Sequence, residues 1–405
     1  MRAAGQAQAA AEIFREVLRH LPEVPSYDKA LTLGCLGRCY NASGRPDLAE
    51  REYRNALAVL GKLPPSDGVK RQRGNSLTDL ADVLRDQGRY AQAREAYQKG
   101  LEVDKELGDL RGQGVSLGQL GSLAMTEGDL PEAVARHQDA LILFQQLQEP
   151  ASEAIVWHQL GIAFQKARRW DEAERHYREA ARIKEGLGDL AAAARTWNHL
   201  AAVAEAAGKP AAAETWYRKA IEGGRQTGDF LPAARALNNL ADLLRAQPER
   251  LAEARQLAEE ALAIKEALEP GVSEIWTTYS ILANIADQEG QPAQAREYHR
   301  LAREAKRNFA GTRHELRRHA PLILAAVVAT QDAGRRDALV AQGLPALEIG
   351  GWTNLGAAIR RILSGERDAD TLCESLDFED SMIVEAILGG LEDPSSLQDL
   401  MPAEE

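Results

Sequence analysis

Three stretches of this sequence carry residue types at spacings that could do chemistry. Gly114-Val115-Ser116-Leu117-Gly118 spells G-x-S-x-G, the pattern of a nucleophilic serine on a strained strand-to-helix turn. That chemistry needs a strand before the serine and a histidine and an acid converging on it. Here the motif opens a helical pattern, which small residues at a helix crossing explain. Gly112, Gly114 and Gly118 lack the βαβ setting of a dinucleotide fingerprint for the same reason. His314-Glu315-Leu316-Arg317-Arg318-His319 puts two histidines beside a glutamate, but a zinc-binding pair needs H-E-x-x-H. His319 is five residues on, about 140° round a helix. Cys35 and Cys39, at i and i+4, share a helix face; a zinc site wants four ligands, and no second pair follows. Cys373 has no histidine near it in sequence. The sequence therefore assigns no catalytic residue, no metal and no cofactor.

The residues around these motifs point to a different kind of molecule. Of 405 residues 44% are hydrophobic, enough for a sizeable core, and 27% are charged. Three cysteines cannot make a disulfide framework, which fits a reducing cytoplasm. The first residues carry charges through what would be the apolar part of a signal, and the longest apolar run, Leu322 to Ala329, is far shorter than a membrane span. Neither secretion nor a membrane is expected. The net charge of −12 sits in the C-terminal end. From Ser364 to Glu405 there are 13 acids against Arg367 alone, while the rest balances at 48 of each sign. The one basic excess, Arg300 to Arg318, is too small for a nucleic-acid footprint, so nucleic acid is not the expected partner.

Periodicity organises the chain. A Leu-Gly/Ala step falls at Leu36-Gly37, Leu80-Ala81, Leu120-Gly121, Leu160-Gly161, Leu200-Ala201, Leu240-Ala241 and Leu282-Ala283, at spacings of 44, 40, 40, 40, 40 and 42. Downstream of each lies an Ala-x3-aromatic-x2-small cluster, such as Ala93/Tyr97/Gly100 and Ala173/Tyr177/Ala180. Repeat six has Ala258 at the aromatic position. Both clusters have i, i+3, i+4, i+7 spacing, so each repeat is two helices. The small residue lets the helices approach, with the Ala of the second helix expected to fill the gap.

With Trp157-x2-Leu160-Gly161-x2-Phe164 and Trp197-x2-Leu200-Ala201, the array resembles the tetratricopeptide repeat family over roughly 27–308. The resemblance implies an all-α fold, a right-handed αα solenoid of about seven helix pairs. The period is about 40 rather than 34, and the closing Pro is replaced by Gly-Asp at 108–109, 188–189 and 228–229. Such long repeats are similar to arrays of the kinesin-light-chain and bacterial signalling-ATPase kind. Gly suits the helix C′ position and Asp the next N-cap. Gln247-Pro248-Glu249-Arg250 replaces one Gly turn, and a local irregularity is expected there. The expected domains are an N-terminal orphan or capping helix over 1–26, the solenoid over 27–311, and a C-terminal helical cap with an acidic end over 312–405. Helical patterns in the last run over 316–330, 338–349, 355–363 and 381–391.

In this family the first helices line the concave surface. Carried over register by register, the expected partner-binding residues are His158, Gln159, Arg195, Asn198, His199, Arg235, Asn238, Asn239, Arg245 and Asn284. Side-chain amides can hydrogen-bond an extended peptide backbone, and Arg adds carboxylate recognition. The same residue types also make the solvated faces of amphipathic helices. The expected function is a non-catalytic scaffold that binds a peptide or partner protein. The alternative is a peptide-responsive sensor or regulatory subunit acting on a separate effector chain, a signalling ATPase or a caspase-like protease.

Overall fold

The computed structural model describes residues 2–268, 273–307 and 309–400, and among these all regular secondary structure is helical. An N-terminal helix α1 (Arg2–His20) precedes seven pairs. They are α2 (Tyr27–Ala42) with α3 (Pro46–Leu60), α4 (Asp67–Asp86) with α5 (Tyr90–Glu106), α6 (Leu110–Glu127) with α7 (Leu130–Gln146), and α8 (Pro150–Lys166) with α9 (Trp170–Gly186). Then come α10 (Leu190–Ala206) with α11 (Pro210–Thr227), α12 (Phe230–Arg245) with α13 (Leu251–Glu266), and α14 (Ile275–Gln288) with α15 (Pro292–Arg307). The C-terminal part holds α16 (Ala310–Arg317), α17 (Ala320–Gln331), α18 (Ala333–Ala338), α19 (Leu344–Ile349), α20 (Thr353–Leu363), α21 (Ala369–Cys373) and α22 (Phe378–Glu392). The chain forms two compact units, Met1–Trp216 and Tyr217–Glu405, divided inside α11. In an array where each repeat touches only its neighbours, compactness need not follow the repeat boundaries.

The turns between pairs follow the Gly-Asp reading. Gly108, Gly188 and Gly228 have φ of 66°, 74° and 70°, where a side chain would strain the backbone. Asp109 and Asp189 then accept from Gly112 N and Ala192 N at 2.9 Å, capping the next helix. Gln148, between α7 and α8, makes the same left-handed turn without glycine at φ 54°, and Arg168 does so inside the α8–α9 pair at φ 56°. The Gln247–Arg250 segment forms a short 3₁₀ turn over Pro248–Arg250, and α13 resumes at once.

The step leucines are buried, none more than 4% exposed, as are the alanines that open the Ala-x3-aromatic clusters of the second helices. Where the small residue after the leucine is glycine, it meets something other than the expected alanine. A Cβ on Gly37 would come within 2.7 Å of Tyr53, on Gly121 within 2.9 Å of His137, and on Gly161 within 2.5 Å of Tyr177. The aromatic of the second helix lies across the glycine, because a flat ring fills the space that a missing Cβ opens.

The C-terminal helices have their own core, including Ile323, Leu344, Leu355, Ile359, Ile383, Val384 and Ile387. The expected 316–330 helix is broken between Arg317 and Ala320, with Pro321 opening α17. Short helices α16, α18 and α21 were not legible from the pattern. The acidic end turns back on the basic stretch: Arg303 donates from Nε to Glu385 Oε1 at 3.1 Å and pairs with Asp370, and His319 Nε2 lies 3.0 Å from Glu379.

Candidate partner-binding surface

In the first unit, three rings meet where α8, α9 and α10 pack together. His158 stands edge-on to His199 with centroids 5.0 Å apart, and Tyr177 stacks on His199 at 5.3 Å. The Tyr177 hydroxyl donates to Gln165 Oε1 at 2.7 Å. Behind the rings, the Lys184 ammonium donates to Thr196 Oγ1 at 2.8 Å, and that hydroxyl lies 3.2 Å from His158 Nδ1. Burial, together with the positive charges of Lys184 and Arg195 and the nearby His199, holds His158 down to about 3. It is therefore neutral at pH 7 and its ring can accept a hydrogen bond. Burial also lowers Lys184 to about 8, with Arg195 pushing the same way. Gln159 and Asn198 are half-buried and Arg195 is exposed.

In the second unit Arg235 is exposed and Asn239 half-buried, while Arg245 donates to Asp242 at 2.5 Å. Asn238 differs from the expectation for a groove amide. It is 4% exposed, and its amide donates to Thr277 Oγ1 at 3.1 Å and Thr278 Oγ1 at 2.9 Å. Threonines at the start of the next first helix take up the donors, so Asn238 ties two repeats together rather than facing solvent. Lys265, in the register of Lys184, donates to Glu274 O at 2.9 Å and Thr277 Oγ1 at 3.0 Å, and burial lowers it to about 8. Asn284 lines a cavity between α14–α15 and the C-terminal helices. Of the ten expected residues, His158 and His199 are in direct ring contact.

Sequence reasoning missed Tyr177, Lys184 and Thr196 as members of the first-unit cluster. A signal was available in the inward register of the second helix, where Phe144 of repeat three gives way to Lys184. A lysine at a buried register asks for a polar partner nearby.

The motifs weighed from sequence resolve into packing. Ser116 lies inside α6, 1% exposed, and donates to Asp104 Oδ2 at 2.9 Å, while a Cβ on Gly114 would meet Phe144 at 2.9 Å. Arg38 donates to Cys35 Sγ at 3.2 Å, and burial pushes the Cys373 thiol up to about 11. The side chain of His314 lies outside the described residues. Among the described residues no group of three or more His, Cys, Asp or Glu could hold a metal ion, and no helix is long and apolar enough to cross a membrane.

Helix pairs of about 40 residues, joined by Gly-Asp turns and locked by a ring over a small residue, define an αα repeat array. The family model for the tetratricopeptide repeat matches residues 28–106, 112–186 and 192–267, more than half of the chain, and the chain belongs to that family. No curated protein matches the sequence significantly. Among solved structures, the chain is similar to the signal transduction ATPase with numerous domains with a tetratricopeptide repeat sensor from Pyrococcus horikoshii. The TM-score is 0.60 at 14% identity, covering 72% of this chain and 44% of that one. It is also similar to the apo form of RapI, with a TM-score of 0.51 at 14% identity over 69% of this chain and 98% of that one. BtubC (BKLC) from P. vanneervenii matches at 23% identity and a TM-score of 0.49 over 56% of this chain and 91% of that one. These likenesses are of fold.

Proposed function

We propose that this chain is a non-catalytic interaction scaffold that binds a peptide or an extended segment of a partner protein along its first helices. One observation carries the reading. Polar side chains recur at fixed register on successive first helices, half-buried or exposed: Gln159, His199 and Asn239 stand one residue before the step leucine, and Arg195 and Arg235 five before it. Neighbouring positions of the same helices, Leu160, Leu200, Leu240 and Leu282, are buried. Amides at regular spacing suit a peptide backbone, and Arg195 and Arg235 add affinity for a carboxylate. A second reading is regulatory. The Pyrococcus horikoshii protein is described as carrying its repeats as a sensor, which supports a role for this chain as the sensing part of a system whose effector is a separate chain.

The test starts from affinity purification in the native cells with mass spectrometry, followed by calorimetry of the purified partner. Arg235→Ala with Asn239→Ala should weaken binding about tenfold or more, since hydrogen bonds to charged groups contribute roughly 1.5–3 kcal/mol each. Unchanged affinity with an intact fold would move recognition off this face. If partner binding also changes the activity of a co-purified ATPase or protease, the regulatory reading gains.

A further inference from the structure

The second unit contains a cavity of about 850 Å³ that the repeat register alone does not account for. One wall is the last helix pair, with Asn284 and Asp287 from α14 and His299 from α15; the other is the C-terminal segment from Asp368 to Ser381. The volume falls in the range of ligand sites, about 300–1,000 Å³.

Its charge is uneven once internal pairs are set aside. Arg303 and Asp370 line the cavity and pair with each other, and Arg303 also holds Glu385. That leaves Asp287, Asp368, Glu374 and Asp377 around the space, with the exposed Arg296 opposing them. Among the described residues none of these four carboxylates makes an ion pair with Lys or Arg. Asp287 has His299 Nε2 at 3.7 Å, Asp368 accepts from the Thr371 hydroxyl, and Asp377 caps α22 by accepting from Asp380 N at 2.9 Å. Deeper in, Ser381 is 4% exposed and lines the cavity, and among the described residues its hydroxyl makes no hydrogen bond. The Asn284 carbonyl adds a further acceptor. A lining of acceptors with excess negative charge fits a ligand that brings only donors and a positive charge.

We propose that this cavity binds the cationic side chain, guanidinium or ammonium, of a basic peptide segment. The site uses α14, α15 and the C-terminal segment rather than Arg235 and Asn239 on α12, so the variants that test the proposed function leave its lining in place. Arg235 on α12 is exposed and suits an acidic residue, whereas α14 brings Asn284 and Asp287 to the cavity.

Calorimetry on the full chain with a doubly capped tri-arginine peptide tests the assignment. The same peptide with citrulline in place of arginine, and spermidine as a free amine, serve as comparisons. The arginine peptide should bind and the citrulline peptide should not. Asp287→Asn with Glu374→Gln should weaken it about tenfold or more, as loss of charge-assisted hydrogen bonds implies. Glu222→Gln with Glu259→Gln, which removes the same charge from α11 and α13, should change affinity less than about twofold. Circular dichroism would confirm that each variant is folded. No binding of the arginine peptide, equal losses in both double variants, or binding of spermidine alone would overturn the proposal.

Discussion

A Cβ placed on Gly161 would stand 2.5 Å from Cδ1 of Tyr177, the ring that α9 lays across α8. The same ring stacks on His199 and faces His158, so the contact that closes the helix pair also sets the height of the first-helix face. Gly161→Ala forces the ring outward, and Gly161→Leu displaces it altogether. Repeat two offers a measure, since Ala81 sits 0% exposed in the same register with Tyr97 in the ring position. A methyl is therefore accommodated when the ring shifts. The alanine variant should lose about 1 kcal/mol and the leucine variant about 3 kcal/mol or more by urea unfolding. A leucine variant as stable as the parent would mean that the pair does not depend on this approach.

Much of the array was legible because each repeat states its own rule: Leu160-Gly161 and Ala173/Tyr177 lie close in sequence and pack against each other. The contribution of Asn238 was not legible, because its amide bonds to Thr277 and Thr278, 39 and 40 residues on, and the same residue type in solvent would look identical in sequence. Arg303 reaches Asp370 and Glu385 across 67 and 82 residues that carry no repeat, so no register could pair them. The acidic end and the basic stretch were visible as an imbalance of charge, but not as particular ion pairs.

His137 takes the ring position in repeat three, is 1% exposed, and has no hydrogen-bond partner on either nitrogen. Burial lowers it from 6.5 to about 4. Between those values the unfolded chain binds a proton that the folded chain refuses. Its contribution to stability is therefore whole above pH 6.5 and falls as pH drops toward 4. The loss over that interval is on the order of 2–3 kcal/mol. His137→Phe keeps the ring without the titration, so the gap between parent and variant should widen in favour of the variant from pH 7 to pH 5. Melting curves at the two pH values check this, and parallel shifts would show that His137 is not the group responsible.

Lys184 is 9% exposed, and its ammonium has the Thr196 hydroxyl as its hydrogen-bond acceptor. Its pKa is lowered from 10.5 to about 8, so the folded chain sheds this proton before the unfolded chain does. Stability from this site rises as pH climbs from 8 to 10.5, and at pH 7 the folded state carries a poorly compensated charge. Lys184→Met should be neutral or stabilising by about 1–2 kcal/mol at pH 7, and it should abolish the rise. Urea midpoints at pH 7 and 9.5 test both points. A methionine variant weaker than the parent at pH 7 would mean that the bond to Thr196 outweighs desolvation.

Arg303 is 8% exposed and holds two acids from the C-terminal segment, Asp370 on α21 and Glu385 on α22. The Glu385 side chain is 12% exposed, and its second oxygen is buried without a hydrogen bond. Burial pushes the Glu385 carboxyl above the usual range, while Arg303 pulls it down. Desolvation outweighs the pairing at this carboxyl, so the pair adds little or nothing to stability while both partners remain. Arg303→Met leaves Glu385 buried without its main counter-charge and should cost about 3–5 kcal/mol. The damage should appear first where α22 meets α15, as faster amide exchange in α22 with protection retained in α12 and α13. Arg303→Met with Glu385→Leu removes both charges and fills the space with apolar atoms, and should recover most of the loss. A double variant as unstable as the single one would show that α22 is held by hydrogen-bond geometry at Arg303, not by balance of charge.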